Sequence, residues 1–156
     1  MSEDADTSNA IIRPPIACAI AILAAIGVDW LYPLRFVSAS VPRIWVGSGV
    51  FAVALALAIW AIVTISKAGS RVETNSPTTI IVTNGPFRFT RNPIYLGMLL
   101  GQAGLAIGFD NLWMLATFVP FSLVLRYGVI AREEAYLERK FALAYVSYKS
   151  RVRRWL

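Results

Sequence analysis

Three groups of residues carry the chemistry this chain can offer: the adjacent acids Glu133 and Glu134, the isolated Arg126, and the loop Asn84-Gly85-Pro86-Phe87-Arg88-Phe89-Thr90-Arg91-Asn92-Pro93-Ile94-Tyr95. Asn84-Gly85-Pro86 is a turn signal. Asn92 precedes a proline and is biased away from helix, whereas Pro93 suits the first turn of the helix that follows. The loop therefore delivers Phe87, Arg91, Asn92 and Tyr95 to a helix mouth. The free N–H groups there, together with Arg91, favour a carboxylate or a phosphate. These residues suit a polar, partly anionic small ligand in an apolar surround. The plainer alternative is a loop that anchors the chain at a membrane surface.

Neighbouring residues on a helix point about 100° apart, so only one of Glu133 and Glu134 need face inward. Arg126 and Glu133 differ by seven positions, two helical turns, and are expected to share a face. A carboxylate placed there accepts hydrogen bonds from ribose hydroxyls or pairs with a cationic ligand; otherwise it is a solvated helix end. Arg126 interrupts an apolar run, and a charge at membrane depth is costly and tends to be functional. The competing explanation is snorkelling of its long side chain to the interface.

Much chemistry is excluded. The chain has no histidine and a single cysteine, Cys18. It thus offers no internal disulfide, no Cys- or His-based metal set and no Ser-His-Asp triad. The net charge is +6. Its Lys and Arg residues flank apolar blocks, which fits the positive-inside rule and anionic headgroups and not nucleic acid. No aromatic-basic platform for single strands is visible.

The elements that must hold these groups are membrane helices. Hydrophobic residues make up 57% of the 156-residue chain, charged ones 15%, and the apolar residues come in long blocks. The blocks run from about Pro14 to Tyr32, Ile44 to Ile65, Pro93 to Phe109 and Leu112 to about Ala131. Only Asp110-Asn111 separates the last two, which implies an antiparallel hairpin. Gly97, Gly101, Gly104 and Gly108 offer a small-residue face for close helix packing. The expected fold class is all-α, a polytopic helical bundle of about four transmembrane helices plus a C-terminal amphipathic helix. That last helix is read over Glu133 to Leu156, with Leu137, Phe141, Tyr145, Tyr148, Val152 and Trp155 on one face. Thr78 to Thr83 is β-branched and expected to be locally extended. Residues 1–13 read as a cytoplasmic tail, disordered and without signal-peptide features; 14–66 hold helices one and two; 67–156 form a catalytic region. With the N-terminus cytoplasmic, twelve Lys and Arg residues fall inside and two outside, which predicts both termini in the cytoplasm.

The run Gly85-Pro86-Phe87-Arg88-Phe89-Thr90-Arg91-Asn92-Pro93-Ile94-Tyr95-Leu96-Gly97, then Glu133-Glu134, then Phe141, Tyr145, Tyr148 and Val152, resembles the isoprenylcysteine carboxyl methyltransferases and their phospholipid methyltransferase relatives. Their pattern reads roughly G-P-Y-R-x-x-R-H-P-x-Y-x-G, a helical hairpin, E-E, then F-G-x-x-Y-x-x-Y. The likeness spans Thr79 to Trp155. It implies an integral membrane methyltransferase that uses S-adenosylmethionine. It further implies that Thr79, Ile80, Ile81, Val82, Phe87, Asn92, Pro93, Ile94, Tyr95 and Glu133 enclose the cofactor. Arg126 and Glu134 are the candidate catalytic residues. Four positions depart from the pattern: Asn92 replaces His, Phe87 replaces Tyr, Ala142 replaces Gly, and Val129 stands where the carboxyl methyltransferases bind substrate through Arg. Asn92 can hydrogen-bond but cannot move a proton by titrating.

The expected partners are membrane lipids and a lipidic or small hydrophobic methyl acceptor. Two other readings compete: a small four-helix transporter, and a non-catalytic scaffold related to the methyltransferases. A transporter needs a carboxylate at mid-membrane depth, whereas Asp29 and Asp110 lie at span ends.

Overall fold

The computed structural model describes residues 10–69 and 80–156. Helices α1 (Pro14–Leu31), α2 (Arg43–Lys67), α3 (Pro93–Phe109) and α4 (Leu112–Leu123) are followed without a break by a π-helical segment, Val124–Ile130, and by α5 (Ala131–Arg151). No strand occurs among the described residues. Helices α1, α2 and the continuous Leu112–Arg151 rod are long and apolar enough to cross a membrane, and α3 is a 17-residue apolar helix. At about 1.5 Å per residue, α3 is at the short end of a spanning length. The fold is a helical membrane bundle.

Prolines set two of the starts: Pro14-Pro15 opens α1 and Pro93 opens α3, positions where the missing N–H costs nothing. Asn111 caps α4 by accepting from the Met114 N–H at 3.1 Å. Helix α3 packs on α2 and on α4, and α1 packs on α4. The α2–α3 seam is glycine against backbone. A Cβ at position 47 would lie 2.5 Å from the Gly108 nitrogen and 2.6 Å from the Gly104 carbonyl oxygen. In lipid the hydrophobic effect does not drive helices together, so such close approach supplies the packing instead. A second layer, Leu125, Val129 and Ile130, is fully buried with Leu99 and Phe121.

At the end of the bundle away from the mouth of α3, Asp110 adopts left-handed backbone (φ 53°), which an aspartate tolerates. Its carboxylate accepts from the N–H groups of Phe36 and Val37, each at 2.8 Å, and pairs with Arg43 at 2.9 Å. Asp29 pairs with Arg35 at 3.0 Å. Both span-end acids thus clamp the α1–α2 connection, which leaves neither as a coupling group at mid-membrane. The two backbone donors, then Arg43, hold the Asp110 carboxyl below the usual carboxylate range. A lowered native value contributes stability above the unfolded value of about 3.9 and loses it as pH falls through the native one. The thermal midpoint of detergent-solubilised protein is therefore expected to drop below about pH 4, and Asp110→Asn to flatten that acid limb. An unchanged limb would show that Asp110 does not set it.

One expectation needs correction. The C-terminal helix ends at Arg151 and not at Leu156, with Val152 extended (φ −120°, ψ 129°). Residues 152–156 turn back along the loop before α3, so Val152 and Trp155 do not continue the helical stripe. Within α5, Ala142 sits at φ 43°, ψ −121° and kinks the helix. That conformation is natural to glycine, and holding an alanine there costs on the order of 1–3 kcal/mol. Residues 80–83 belong to no helix or strand, while Thr78 and Thr79 lie outside the described residues.

Candidate functional site

The site is assembled at the mouth of α3. A 3-10 turn, Gly85–Arg88, abuts the end of α2. Gly85 is required there twice over: its φ is +56°, and a Cβ would lie 2.8 Å from Thr64 Oγ1. Tyr148, on α5, donates its hydroxyl to the Phe87 carbonyl at 2.8 Å. Burial pushes that phenol up to about 12, so it keeps its proton and remains a donor at neutral pH. Burial likewise pushes Tyr145 up.

The returning segment then ties the loop down. Arg91 N–H donates to the Arg153 carbonyl at 3.0 Å, and both Thr90 Oγ1 and Asn92 Nδ2 donate to the Arg154 carbonyl at 3.0 Å. Asn92, at the position of the pattern's His, is a buried strap-holding amide. It stands just before Pro93, which is fully buried.

The two acids separate. Glu133 accepts a hydrogen bond from the Tyr95 hydroxyl at 2.7 Å. Glu134 is buried, 6% exposed, and both its oxygens are taken by arginines. Arg91 reaches Oε1 at 3.1 Å, and Arg154 grips both oxygens at 3.1 and 2.6 Å. Glu134 in turn raises the already high pKa of Arg154. Glu134 is therefore placed to lock the returning segment, and Glu133 to offer its carboxylate beside Tyr95.

Arg91 is the most informative group. Its side chain is 8% exposed, yet it spends only one nitrogen on Glu134. Nε and Nη1 are buried without a hydrogen-bond partner. Orphaned guanidinium donors cost free energy unless a ligand satisfies them. Arg91 thus presents two buried donors suited to a carboxylate, and Glu133, the residue before its partner Glu134, forms with Tyr95 a carboxylate–phenol pair suited to amino or hydroxyl groups.

The structure does not bring all the sequence candidates together at this centre. Phe87 and Ile94 are half-buried in the loop and first turn; Ile81 and Val82 are half-buried upstream and Ile80 is exposed; Thr79 lies outside the described residues. Arg126 stands apart from Glu134, on the wall of a cavity of about 380 Å³ between α3 and α4. The expectation that Arg126 and Glu133 share a face assumed regular α-helix. The π segment between them advances each residue by less than 100°, so that arithmetic no longer holds. Val129 is fully buried in the core.

Sequence reasoning missed Arg154, the strap bonds of Thr90, and Gln102. Gln102 is buried on α3, and its Nε2 donates to the Met114 carbonyl at 2.9 Å and to Thr117 at 3.1 Å. A polar residue inside an apolar block was the available signal for Gln102. None existed for Arg154, because its partner lies 20 residues away across a helix break.

The phospholipid methyltransferase family profile matches residues 42–144, about two thirds of the chain, from α2 into α5. An uncharacterized protein of Haemophilus influenzae is 41% identical over 63 residues, which is 40% of this chain and all of that one. No solved structure matches. The chain belongs to the phospholipid methyltransferase family.

Proposed function

We propose that this protein is an S-adenosylmethionine-dependent integral membrane methyltransferase, acting on a lipidic or small hydrophobic acceptor from the cytoplasmic face. The observation that carries this reading is Arg91, with two unpartnered buried donors, at the same mouth of α3 that supplies Tyr95 to the Glu133 carboxylate. The cofactor's methionine carboxylate fits the Arg91 donors, and its amino or ribose hydroxyl groups fit Glu133. When bound, the cofactor supplies an electrophilic methyl group on sulfur.

The chain's own contribution is placement. Arg91 orients a carboxylate, Glu133 and Tyr95 fix a polar end, and the strap holds the loop against α5 so that water is excluded. Holding donor and acceptor in line is the main requirement of a displacement at a methyl carbon. No strong base is needed when the acceptor arrives as an anion, thiolate or free amine, which suits a chain lacking histidine.

Titration calorimetry of detergent-purified protein with S-adenosylmethionine tests the proposal. Binding in the micromolar range is the expected result. Folded protein that gives no binding heat would overturn it. The transporter alternative draws no support from Asp29 or Asp110, both of which are paired at the far end.

A further inference from the structure

We infer that the chain beyond the Ala142 kink is a membrane-surface docking element, which lies on the leaflet at the mouth of α3 and binds the headgroups of anionic phospholipids there. This surface is separate from the cofactor groups, and its occupancy does not depend on the methyltransferase reading.

Charge selects the partner. Residues 139–156 carry six basic side chains, Arg139, Lys140, Lys149, Arg151, Arg153 and Arg154, and no acidic one. Three of these are held within the protein. Arg154 grips Glu134, Lys149 pairs with Glu138, and Lys140 donates to the Tyr136 hydroxyl at 2.9 Å. Arg139, Arg151 and Arg153 are exposed, and none has a carboxylate partner among the described residues. The only bond of this group is from Arg151 Nε to the Ser147 carbonyl, at 3.1 Å.

The helix between these cations has an apolar outer side. Tyr145 and Tyr148, three positions apart, are buried, and Tyr148 holds the Phe87 carbonyl, so they mark the inner side. Leu143 and Val146 precede them by two positions each, a turn of about 200°, and are 84% and 51% exposed. A leucine so exposed among basic side chains gains nothing from water. At a bilayer surface it enters the boundary between headgroups and acyl chains while the cations stay with the phosphates.

The fold brings this side back to the membrane. A straight α5 of 21 residues would carry the chain about 30 Å beyond the fourth span. Instead the backbone turns at Ala142, and the carbonyls of Arg153 and Arg154 accept from Arg91, Thr90 and Asn92 beside the start of α3. Trp155 then packs on the cluster of Leu99, Phe121 and Leu125, and Leu156 is left 74% exposed. The segment thus ends against the spans themselves, at the level where lipid headgroups lie. Each basic residue near an anionic surface raises the affinity about fivefold.

The test uses the full chain with Cys18→Ala and Leu143→Cys, with a bimane label on the introduced thiol, in nanodiscs. The discs contain phosphatidylcholine alone, or phosphatidylcholine with phosphatidylglycerol. Doxyl-labelled phosphatidylcholine, at the same content in both, quenches a label that reaches the acyl boundary. The docked-to-undocked ratio read from quenching is expected to be at least about tenfold higher in the phosphatidylglycerol discs, and to fall back in high salt. Arg139→Gln with Arg151→Gln should erase the difference between the two discs. Arg139→Lys with Arg151→Lys should keep most of it, because charge is what attracts. Equal quenching in both discs, or a difference that survives the glutamine pair or high salt, overturns the inference. Protection of the label in detergent that grows with protein concentration assigns this side to a second copy of the chain and overturns it as well.

Discussion

Glu133→Gln should weaken S-adenosylmethionine binding by one to two orders of magnitude while leaving the fold intact. The glutamine keeps the shape of the side chain, and its amide oxygen can still accept from Tyr95, whose hydroxyl lies 2.7 Å from the carboxylate. What disappears is the charge that the carboxylate, pushed up to about 7 by burial, takes on when a ligand donor meets it, and hydrogen bonds to a charged group contribute about 1.5–3 kcal/mol. Tyr95→Phe removes one neutral donor and should cost only a few-fold. The neighbouring acid provides the contrast. Glu134→Gln strips the counter-charge from Arg91, whose side chain is 8% exposed, and from Arg154. Breaking a buried pair costs about 3–5 kcal/mol of stability, so this variant should lower the thermal midpoint. Calorimetry and thermal denaturation of the three proteins separate the roles. Wild-type affinity in Glu133→Gln would remove that residue from the cofactor site.

The second large effect lies far from the site. Gly104→Leu should destabilise the bundle by at least about 1–3 kcal/mol, the usual range for overpacking, and weaken cofactor binding as well. A Cβ at position 104 would lie 2.8 Å from the Phe51 nitrogen and 2.9 Å from the Gly47 carbonyl oxygen. Those atoms are helix backbone and have no rotamer to escape into, so α2 and α3 must separate. The end of α2 backs the loop before α3, since Thr64 and Trp60 stand against Gly85. Moving α2 therefore loosens the loop that carries Arg91. Gly27→Leu and Gly49→Leu are the controls, because a Cβ at either position meets nothing within 4 Å. Equal midpoints for Gly104→Leu and the controls would show that the α2–α3 seam is not tightly packed in solution.

The sequence by itself determined the spans and their ends. Long uncharged runs leave the backbone few alternatives to helix in lipid, Pro93 marks a start that only a first turn accepts, and Asp110-Asn111 is too short for anything but a hairpin. Through its motif order it also indicated that the loop before α3 and the acids after α4 belong together, and the 2.7 Å Tyr95–Glu133 contact shows them meeting. Tertiary structure alone decided which acid faces Tyr95 and which faces the arginines, where Arg126 points, and that Arg154 completes the lock on Glu134. The physical reason is that periodicity fixes a residue's face only along a regular helix. The π segment at Val124–Ile130, the kink at Ala142 and the reversal after Arg151 each reset the phase. Beyond those points, a side chain's partner is set by where the chain folds back, which local spacing does not encode.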